Sequence, residues 1–411
     1  MGLSIGLVGL GRFGSGFVKY YKAHPLVSRI GLCDREPERV ARFARDPFLQ
    51  DKFRADDAYT SFEGILKADF DALVIITQPW LHAAQCVQAM ESGKHVYSAV
   101  PIVTLPCPDE TLDWCERIVN TSRRTGMKYM LGETTVFHPE AMYCRRQASA
   151  GAFGKFVFAE GQYYHDVDSP SCNLRSVMKQ RLNSAAGREW IELKRTYDAR
   201  GIKGGPMHYP THSTSGPINV MRTYAVKAAC LGFPAPKGDT WFDGEPGNET
   251  GFFVLANGAT LRINEYRHIG LPGEETFNLY GTEGSFRHYQ WLDKAKGRLL
   301  TPAEMRDPLP KDVYEAFQDA VDRRNPIVVP EGYADKDLDP AENDERVFGG
   351  HHGSHAFLVH EFVSAVAANR QPLTNAWEAA RYMAPGAVAH KSALRGGEWL
   401  NVPDWGAAPE R

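Results

Sequence analysis

The feature that most constrains this chain is a glycine-spaced turn directly after a short apolar run near the N-terminus. Residues 5–8 are followed by Gly9, Gly11 and Gly14, and residues 15–23 have the apolar spacing of a helix. The first glycine permits a tight turn, the second lets the backbone approach a pyrophosphate, and the third lets helix and strand pack closely. The helix N-terminus then offers unpaired N–H groups to phosphate. This arrangement predicts a dinucleotide-binding βαβ unit.

An acidic residue at the end of the next strand supports this interpretation. Residues 29–33 form a second apolar run that ends at Asp34, about 20 residues beyond the last glycine. A carboxylate there accepts hydrogen bonds from ribose hydroxyls and repels a 2′-phosphate, so we predict NAD rather than NADP. Arg35 stands beside it and would weaken that preference, so NADP stays open.

The alternation of strand and helix patterns predicts two domains. Apolar strands at residues 72–77, 95–98 and 128–132 alternate with helices, which is typical of a doubly wound parallel α/β sheet over residues 1–133. In the second domain, residues 134–411, alternating segments at 155–164, 251–255, 259–264 and 275–281 predict a large open, mainly antiparallel sheet. Helices are predicted at residues 356–368 and 376–394, and residues 300–350 are predicted to form a long surface excursion.

Composition excludes several classes of partner. The net charge is −3 and like charges form no long run, so we expect no nucleic-acid partner. No apolar run reaches the roughly 18 residues of a membrane span, and no charged leader with an apolar core is visible. Seven scattered cysteines without a Cys-x-x-Cys pair favour reduced thiols and a cytoplasmic location. One face of the open sheet in the second domain is not expected to be covered by helices, and such a face is a typical subunit interface. We therefore expect a homodimer or homotetramer.

Several motifs together resemble one known family. The chain resembles the Gfo/Idh/MocA oxidoreductases over nearly its whole length. Four motifs carry this resemblance: the turn at residues 9–14, Thr77 followed by His82, residues 91–96, and the X-X-Pro at 99–101. The resemblance implies a Rossmann domain followed by an α/β domain with an open sheet, bound NAD(P), and sugar or polyol substrates. The predicted cofactor-binding residues are Gly9, Gly11, Arg12, Phe13, Gly14, Asp34, Arg35, Thr77, Gln78, Trp80, His82, Ala99, Val100 and Pro101.

The chain also departs from that family. Its dehydrogenases usually carry Glu-Lys-Pro where this sequence has Ala99-Val100-Pro101, so Val100 replaces the lysine. Their usual Asp and His after a Gly-Gly pair fall at Pro210 and Thr214. All three polar catalytic groups that the resemblance leads us to expect are therefore missing.

A different motif occupies that region. Residues 204–217 resemble the Tyr-Pro-Thr-His segment of glycoside hydrolase family 109, which shares the fold and also lacks the lysine. This resemblance implies acid/base roles for His212 and, less securely, for Tyr163. Ser213 stands where that family has glycine and Ala99 where it tends to have glutamate, so the resemblance does not extend to the identity of the substrate.

The chemistry then depends on how many titratable groups surround the substrate. A redox-neutral glycosidase needs two or three of them, and we predict His212, Tyr163, His165 and Tyr209 as catalytic, from a pool that includes Tyr164 and His208. The alternative is a net sugar or cyclitol dehydrogenase with His212 as the base. A third possibility is a protein that binds NAD without catalysis.

A histidine-rich segment invites a metal interpretation. His351 and His355 are four residues apart, as in zinc-binding helices, but Gly353 interrupts the helix and no glutamate stands at position 352. We therefore predict no metal, and favour a helix N-cap at Ser354 with histidines that reach a sugar or a subunit interface.

Overall fold

The computed structural model describes residues 2–170, 173–236, 245–323 and 343–409, which form two sheets with helices packed against them. The strands are β1 (Leu3–Val8), β2 (Val27–Cys33), β3 (Phe53–Tyr59), β4 (Ala72–Ile75), β5 (His95–Ala99), β6 (Tyr129–Gly132), β7 (Phe156–Tyr164), β8 (Ala225–Pro234), β9 (Pro246–Leu255), β10 (Thr260–Tyr266), β11 (Glu274–Gly281), β12 (Gly284–Arg287), β13 (Gln290–Asp293), β14 (Gly297–Leu299) and β15 (Leu400–Asn401).

The helices alternate with these strands in the first third of the chain and then follow in groups. They are α1 (Gly14–Ala23), α2 (Pro37–Ala44), α3 (Phe62–Lys67), α4 (His82–Glu91), α5 (Pro108–Thr125), α6 (Pro139–Ser149), α7 (Leu174–Leu182), α8 (Ala185–Ala199), α9 (Thr211–Met221), α10 (Pro302–Met305), α11 (Lys311–Asp322), α12 (Asn343–Phe348), α13 (Gly350–Gly353), α14 (His355–Ala367) and α15 (Ala376–Ala393). Short 3₁₀ turns span Pro47–Leu49, Thr135–Phe137 and Pro206–His208. Within these described ranges, every helix is too short or too polar to cross a bilayer.

The first sheet is parallel throughout and has six strands in the order β3-β2-β1-β4-β5-β6. All residues of β4 and β6 are buried, as expected for strands covered by helices on both faces. The predicted doubly wound sheet is confirmed. Chain order reverses between β1 and β4, and in such sheets ligands bind beyond the carboxyl ends of the strands at this point.

One strand of this sheet escaped prediction. β3 lies at the edge and has the sequence Phe-Arg-Ala-Asp-Asp-Ala-Tyr, of which only Phe53 and Asp57 are buried. Asp57 accepts two hydrogen bonds from Arg29 of β2. An edge strand held by such contacts lacks the apolar pattern on which strand prediction depends.

The second sheet has nine strands in the order β14-β13-β12-β11-β7-β10-β9-β8-β15. All neighbours are antiparallel except β7 and β10, so the predicted mainly antiparallel sheet is confirmed. Helix α9 packs on β7, β10 and β11, and every one of its residues is buried. Gly161 of β7 permits this approach, because a Cβ there would lie 1.9 Å from the carbonyl oxygen of Ser213.

The C-terminal helices connect the two sheets. α14 packs on α1, whereas α15 packs on both α5 and β8, and both helices match their predicted positions closely. The sequence predicted that residues 300–350 form a long surface segment. That prediction is wrong for α11, because Val313, Phe317 and Ala320 are buried where this helix packs on α1. Residues 324–342 of that prediction lie outside the described residues.

Candidate active site

The glycine turn between β1 and α1 has the close contacts that its spacing predicts. Gly9 has φ +96°, and a Cβ there would lie 2.2 Å from the carbonyl oxygen of Ile76. A Cβ on Gly14 would lie 1.9 Å from the carbonyl oxygen of Gly9. At Gly11 the nearest atom is 3.9 Å away, on Arg39, so this side of the turn is open. The turn therefore leaves room for a phosphate against its backbone.

Asp34 lies at the end of β2 and is hydrogen-bonded to this turn. Its carboxylate accepts from the backbone N–H of Leu10 at 2.7 Å and from that of Glu36 at 2.9 Å. The Arg39 guanidinium lies 3.4 Å from both carboxylate oxygens. Arg35 turns instead toward helix α8, where it donates to both oxygens of Glu189. The residues that follow β2 thus place one carboxylate and two arginines around the predicted ribose position.

The loop after β4 holds most of the other predicted cofactor residues. His82 is buried between the carbonyl oxygens of Thr77, at 3.3 Å, and Pro101, at 3.0 Å, and its burial lowers its pKa. This neutral imidazole therefore holds together the loops that follow β4 and β5. Trp80 stacks on Trp190 of α8 with ring centroids 4.8 Å apart.

The remaining predicted cofactor residues stand near these loops. The hydroxyl of Thr77 donates a hydrogen bond to the side chain of Gln85 at 2.6 Å, and Gln78 is the next residue in the chain. Ala99 ends β5, and the half-buried Val100 that follows offers no proton-transfer group. Arg12 and Phe13 belong to the glycine turn itself. The ring of Phe13 packs edge-on against the rings of Phe17, His351 and His355.

His212 lies in the first turn of α9, where it meets one carboxylate from each sheet. Its Nδ1 is 2.9 Å from Glu133, which follows β6 of the first sheet. The same atom is 3.6 Å from Glu275 of β11 in the second sheet. Among the residues that the structure describes, Nε2 of His212 has no hydrogen-bond partner. A carboxylate on Nδ1 orients the ring so that Nε2 serves as the acid/base atom.

The two carboxylates dominate the electrostatics of this cluster. Burial by itself lowers the pKa of His212, but Glu133 and Glu275 outweigh it and raise that pKa to about 9. Burial likewise raises the pKa of Glu275, and His212 and His138 outweigh it and lower that pKa to about 2. At neutral pH the cluster is an imidazolium between two carboxylates. His212 therefore carries a proton on both ring nitrogens at neutral pH.

Two of the other predicted catalytic residues, Tyr163 and Tyr209, lie beside the same imidazole, and the third, His165, contacts Tyr163. The Tyr163 hydroxyl is 2.6 Å from Nδ1 of His165, and its ring centroid is 5.0 Å from that of His212. Tyr209 lies 5.3 Å from His212 and 6.4 Å from Tyr163, centroid to centroid. Burial raises the pKa of both phenols, so both are protonated hydrogen-bond donors at neutral pH. The structure thus brings His212, Tyr163, His165 and Tyr209 together.

The structure places other members of the candidate pool elsewhere. Tyr164 points to the opposite face of β7, where it stacks on Tyr266 at 5.0 Å. His208 packs against His390 at 4.5 Å, and burial and His390 hold its pKa well below the usual range.

Two aspartates in the loop that follows β7, Asp166 and Asp168, also have structural partners. Asp166 accepts from the backbone N–H of Ile269, and Asp168 pairs with Arg175 at 2.9 Å. These partners give both carboxylates a role in the loop that follows β7.

Glu133 and Glu275 were missed by the sequence analysis. Glu133 directly follows the last parallel strand, so its position at the carboxyl edge was an available signal. Glu275 had no comparable signal, since its position depends on the register that pairs it with Tyr163.

The histidine-rich segment lies beside the cluster. His351 and His352 have positive φ angles of 52° and 56°, and the ring of His352 lies 4.5 Å from that of His138. His351 Nδ1 is 3.2 Å from Nε2 of His355. Ser354 is the N-cap residue of α14, as predicted, although its side chain makes no capping hydrogen bond.

A different group has the separations of a metal site. Glu133, His212 and Glu275 each offer one ligand atom within 4.8 Å of the others, which is compatible with a divalent cation. Without a metal, Glu133 and His212 are hydrogen-bonded to each other and Glu275 accepts a hydrogen bond from Thr135. The absence of a metal stays a prediction.

Comparison with known proteins supports both resemblances. Residues 3–133 match the model of the Gfo/Idh/MocA group, described as an oxidoreductase family with an NAD-binding Rossmann fold. The chain is 24% identical to a glycosyl hydrolase family 109 protein of Solibacter usitatus, over 98% of this chain and 87% of that protein. It is 29% identical to an alpha-N-acetylgalactosaminidase of Shewanella oneidensis, over 52% of this chain and 43% of that protein. The match with the second relative therefore covers less than half of that relative's length.

Solved structures show the same fold over nearly the whole chain. A levoglucosan dehydrogenase in complex with NADH and levoglucosan superposes with a TM-score of 0.68 at 18% identity, covering 98% of this chain and 100% of that one. Myo-inositol 2-dehydrogenase from Lactobacillus plantarum superposes with a TM-score of 0.62 at 13% identity, with the same coverage. The resemblance to the Gfo/Idh/MocA oxidoreductases and to glycoside hydrolase family 109 is confirmed.

Glu275→Gln should lower the pKa of His212 from about 9, because it removes one of the two anions that stabilise the imidazolium. The stability gained from this raised pKa is present below the unfolded value of about 6.5 and is lost as pH rises through about 9. NMR titration of ring-labelled histidine between pH 6 and 10 measures the shift. The matched control is Glu274→Gln, whose carboxylate bonds Gln162 and Thr276. An unchanged His212 titration in Glu275→Gln would refute this electrostatic assignment.

Proposed function

We propose that this protein is an NAD-dependent enzyme that hydrolyses a glycoside without net oxidation or reduction. The observation that carries the proposal is the presence of two separate proton-transfer pairs around one site. One pair is His212 with Glu133, at 2.9 Å, and the other is Tyr163 with His165, at 2.6 Å. A simple dehydrogenase needs one acid/base group, whereas this reaction needs at least two.

The proposed reaction has four steps on the sugar. The C3 hydroxyl is oxidised to a ketone, which acidifies the proton at C2. Loss of that proton breaks the C1–O bond, and the aglycone leaves after protonation. Water then adds across the resulting double bond, and the ketone is reduced back to the hydroxyl. The sum is a glycoside plus water giving a free sugar and an alcohol.

The residues present fit a dinucleotide at the carboxyl edge of the first sheet. The open side of Gly11 would receive the pyrophosphate, and Asp34 would receive the adenosine ribose. When bound, NAD supplies the acceptor and later the donor of a hydride. Because no net redox change occurs, the cofactor is not consumed.

His212 is the residue to which we assign proton exchange at the hydroxyl that is oxidised. Glu133 holds its Nδ1, which leaves Nε2 to exchange a proton with the substrate. The imidazolium form protonates an alkoxide or leaving group, and the neutral form accepts a hydroxyl proton. Oxidation, the first step, therefore uses the neutral form, which the raised pKa makes the minor form at neutral pH, and the later protonation steps use the imidazolium form.

Tyr163 and His165 form the second pair. We assign to this pair the removal of the proton at C2 and the later return of a proton to that carbon. His165 can accept a proton through the phenol, and the Arg267 guanidinium lies 4.8 Å from the Tyr163 ring centroid. A cation at that distance favours the phenolate form during transfer. Tyr209 would donate a hydrogen bond to another sugar hydroxyl.

We further propose that residues 134–411 bind the substrate and form subunit contacts in a cytoplasmic homodimer or homotetramer. Half-exposed Phe252 and more exposed Phe233 and Leu231 stand on the second sheet. Such apolar exposure on a sheet is compatible with an interface. No nucleic-acid or membrane partner is proposed.

A panel of nitrophenyl glycosides tests the proposal, with absorbance read for both nitrophenol and NADH. We expect nitrophenol to be released while no NADH accumulates. We also expect that the reaction does not require stoichiometric NAD⁺. NADH that accumulates in proportion to a free sugar, with no glycoside cleaved, would support the alternative, a net sugar dehydrogenase.

Tyr163→Phe should lower kcat by about 100-fold or more, because it removes the hydroxyl that connects His165 to the substrate. Steady-state kinetics on the cleaved glycoside measures this loss. Tyr164→Phe is the matched control, since its hydroxyl bonds Gln162 on the opposite face of the same strand. Equal activities of the two variants would remove Tyr163 from the mechanism.

A further inference from the structure

Helix α8 crosses the carboxyl edge of the first sheet. Glu189 of this helix meets Arg35, which follows β2, and the adjacent Trp190 stacks on Trp80, which follows β4. Strand β1, with its glycine turn, lies between β2 and β4 in the sheet. The two contacts of α8 therefore lie on either side of the crevice that receives the adenosine half of a dinucleotide in this kind of sheet.

A second observation indicates that a ligand belongs beneath this helix. The indole N–H of Trp80 is buried and has no hydrogen-bond acceptor within the part of the chain that the structure describes. The Trp80 side chain itself is only 8% exposed. A buried donor without a partner is costly, and an acceptor on a bound nucleotide would satisfy it.

The charges at the end of β2 bear on which dinucleotide is accepted. An arginine near this position is the group that accommodates the 2′-phosphate of NADP in this fold. Arg35 directly follows Asp34 and would be suited to that role. Instead, its two terminal nitrogens donate to the two carboxylate oxygens of Glu189 at 2.7 and 3.0 Å. This bidentate geometry uses the donors that a phosphate would need.

We infer that Glu189 of α8 is a cofactor-specificity residue, which disfavours NADP by occupying the guanidinium donors of Arg35. The inference rests on the proposed function, because it assumes that the crevice holds NAD. Glu189 acts together with Asp34, which repels a 2′-phosphate directly. One determinant comes from the nucleotide-binding sheet and the other from a helix far along the chain.

The pair is suited to testing by substitution. Both side chains are about half exposed, at 50% for Arg35 and 53% for Glu189. Exposed ion pairs contribute little to folding stability, so loss of the carboxylate should leave the protein folded. The same helix offers a matched control in Glu192, which pairs with Arg195 at 2.6 Å and not with the β2 end.

Displacement of bound NADH, followed by its fluorescence, tests the inference without reference to turnover. In Glu189→Gln, the affinity for NADP⁺ relative to NAD⁺ should rise on the order of tenfold, because Arg35 becomes free to bind the 2′-phosphate. Glu192→Gln should leave the ratio unchanged. The double variant Glu189→Gln/Arg35→Ala should lose the gain.

The possible results separate this inference from the proposed function. If NADH binds and Glu189→Gln leaves the ratio unchanged, the inference is overturned while the proposed function stands. A gain that persists in the double variant overturns it equally, because Arg35 would then not be the phosphate ligand. A wild-type protein that binds no NADH overturns both.

Discussion

The hydrogen bond between His212 and Glu133 is the interaction on which the rest of the site depends. The imidazole and the Glu133 carboxylate are buried, and the Glu275 side chain is only 10% exposed. Burying charges is unfavourable unless they are paired. Glu133 follows the last strand of the nucleotide-binding sheet, and Glu275 belongs to the second sheet. The imidazolium therefore neutralises carboxylates from two different layers. This arrangement places the proposed acid/base group where the two sheets meet, next to the carboxyl edge of the nucleotide-binding sheet.

Local sequence patterns predicted the parts of the structure that are formed by neighbouring residues. The glycine turn, Asp34 and the buried strands of the first sheet follow from spacing and apolar runs. Tyr163 of β7 and His165, just beyond the strand, lie on one side because side chains alternate along extended backbone. The structure places Tyr163 beside His212 and His165 against Tyr163. Tyr164 points away for the same reason.

Long-range pairing explains what the sequence did not predict. Glu275 stands near His212 only because β11 pairs with β7 in a register that sets it opposite Tyr163. The strand β3 is polar and lies at a sheet edge, so no apolar pattern marks it. The contact of Glu189 with Arg35 joins residues that are far apart in the chain. Contacts of this kind depend on the tertiary fold, which local patterns do not specify.

The central claim is that proton transfer at carbon accompanies glycoside cleavage at this cluster. Hydrolysis in D₂O, followed by NMR of the free sugar, measures it most directly. The account predicts deuterium at C2 of the product, because the proton removed there exchanges with solvent before it returns. A cleaved sugar that retains its original hydrogen at C2 would contradict the account.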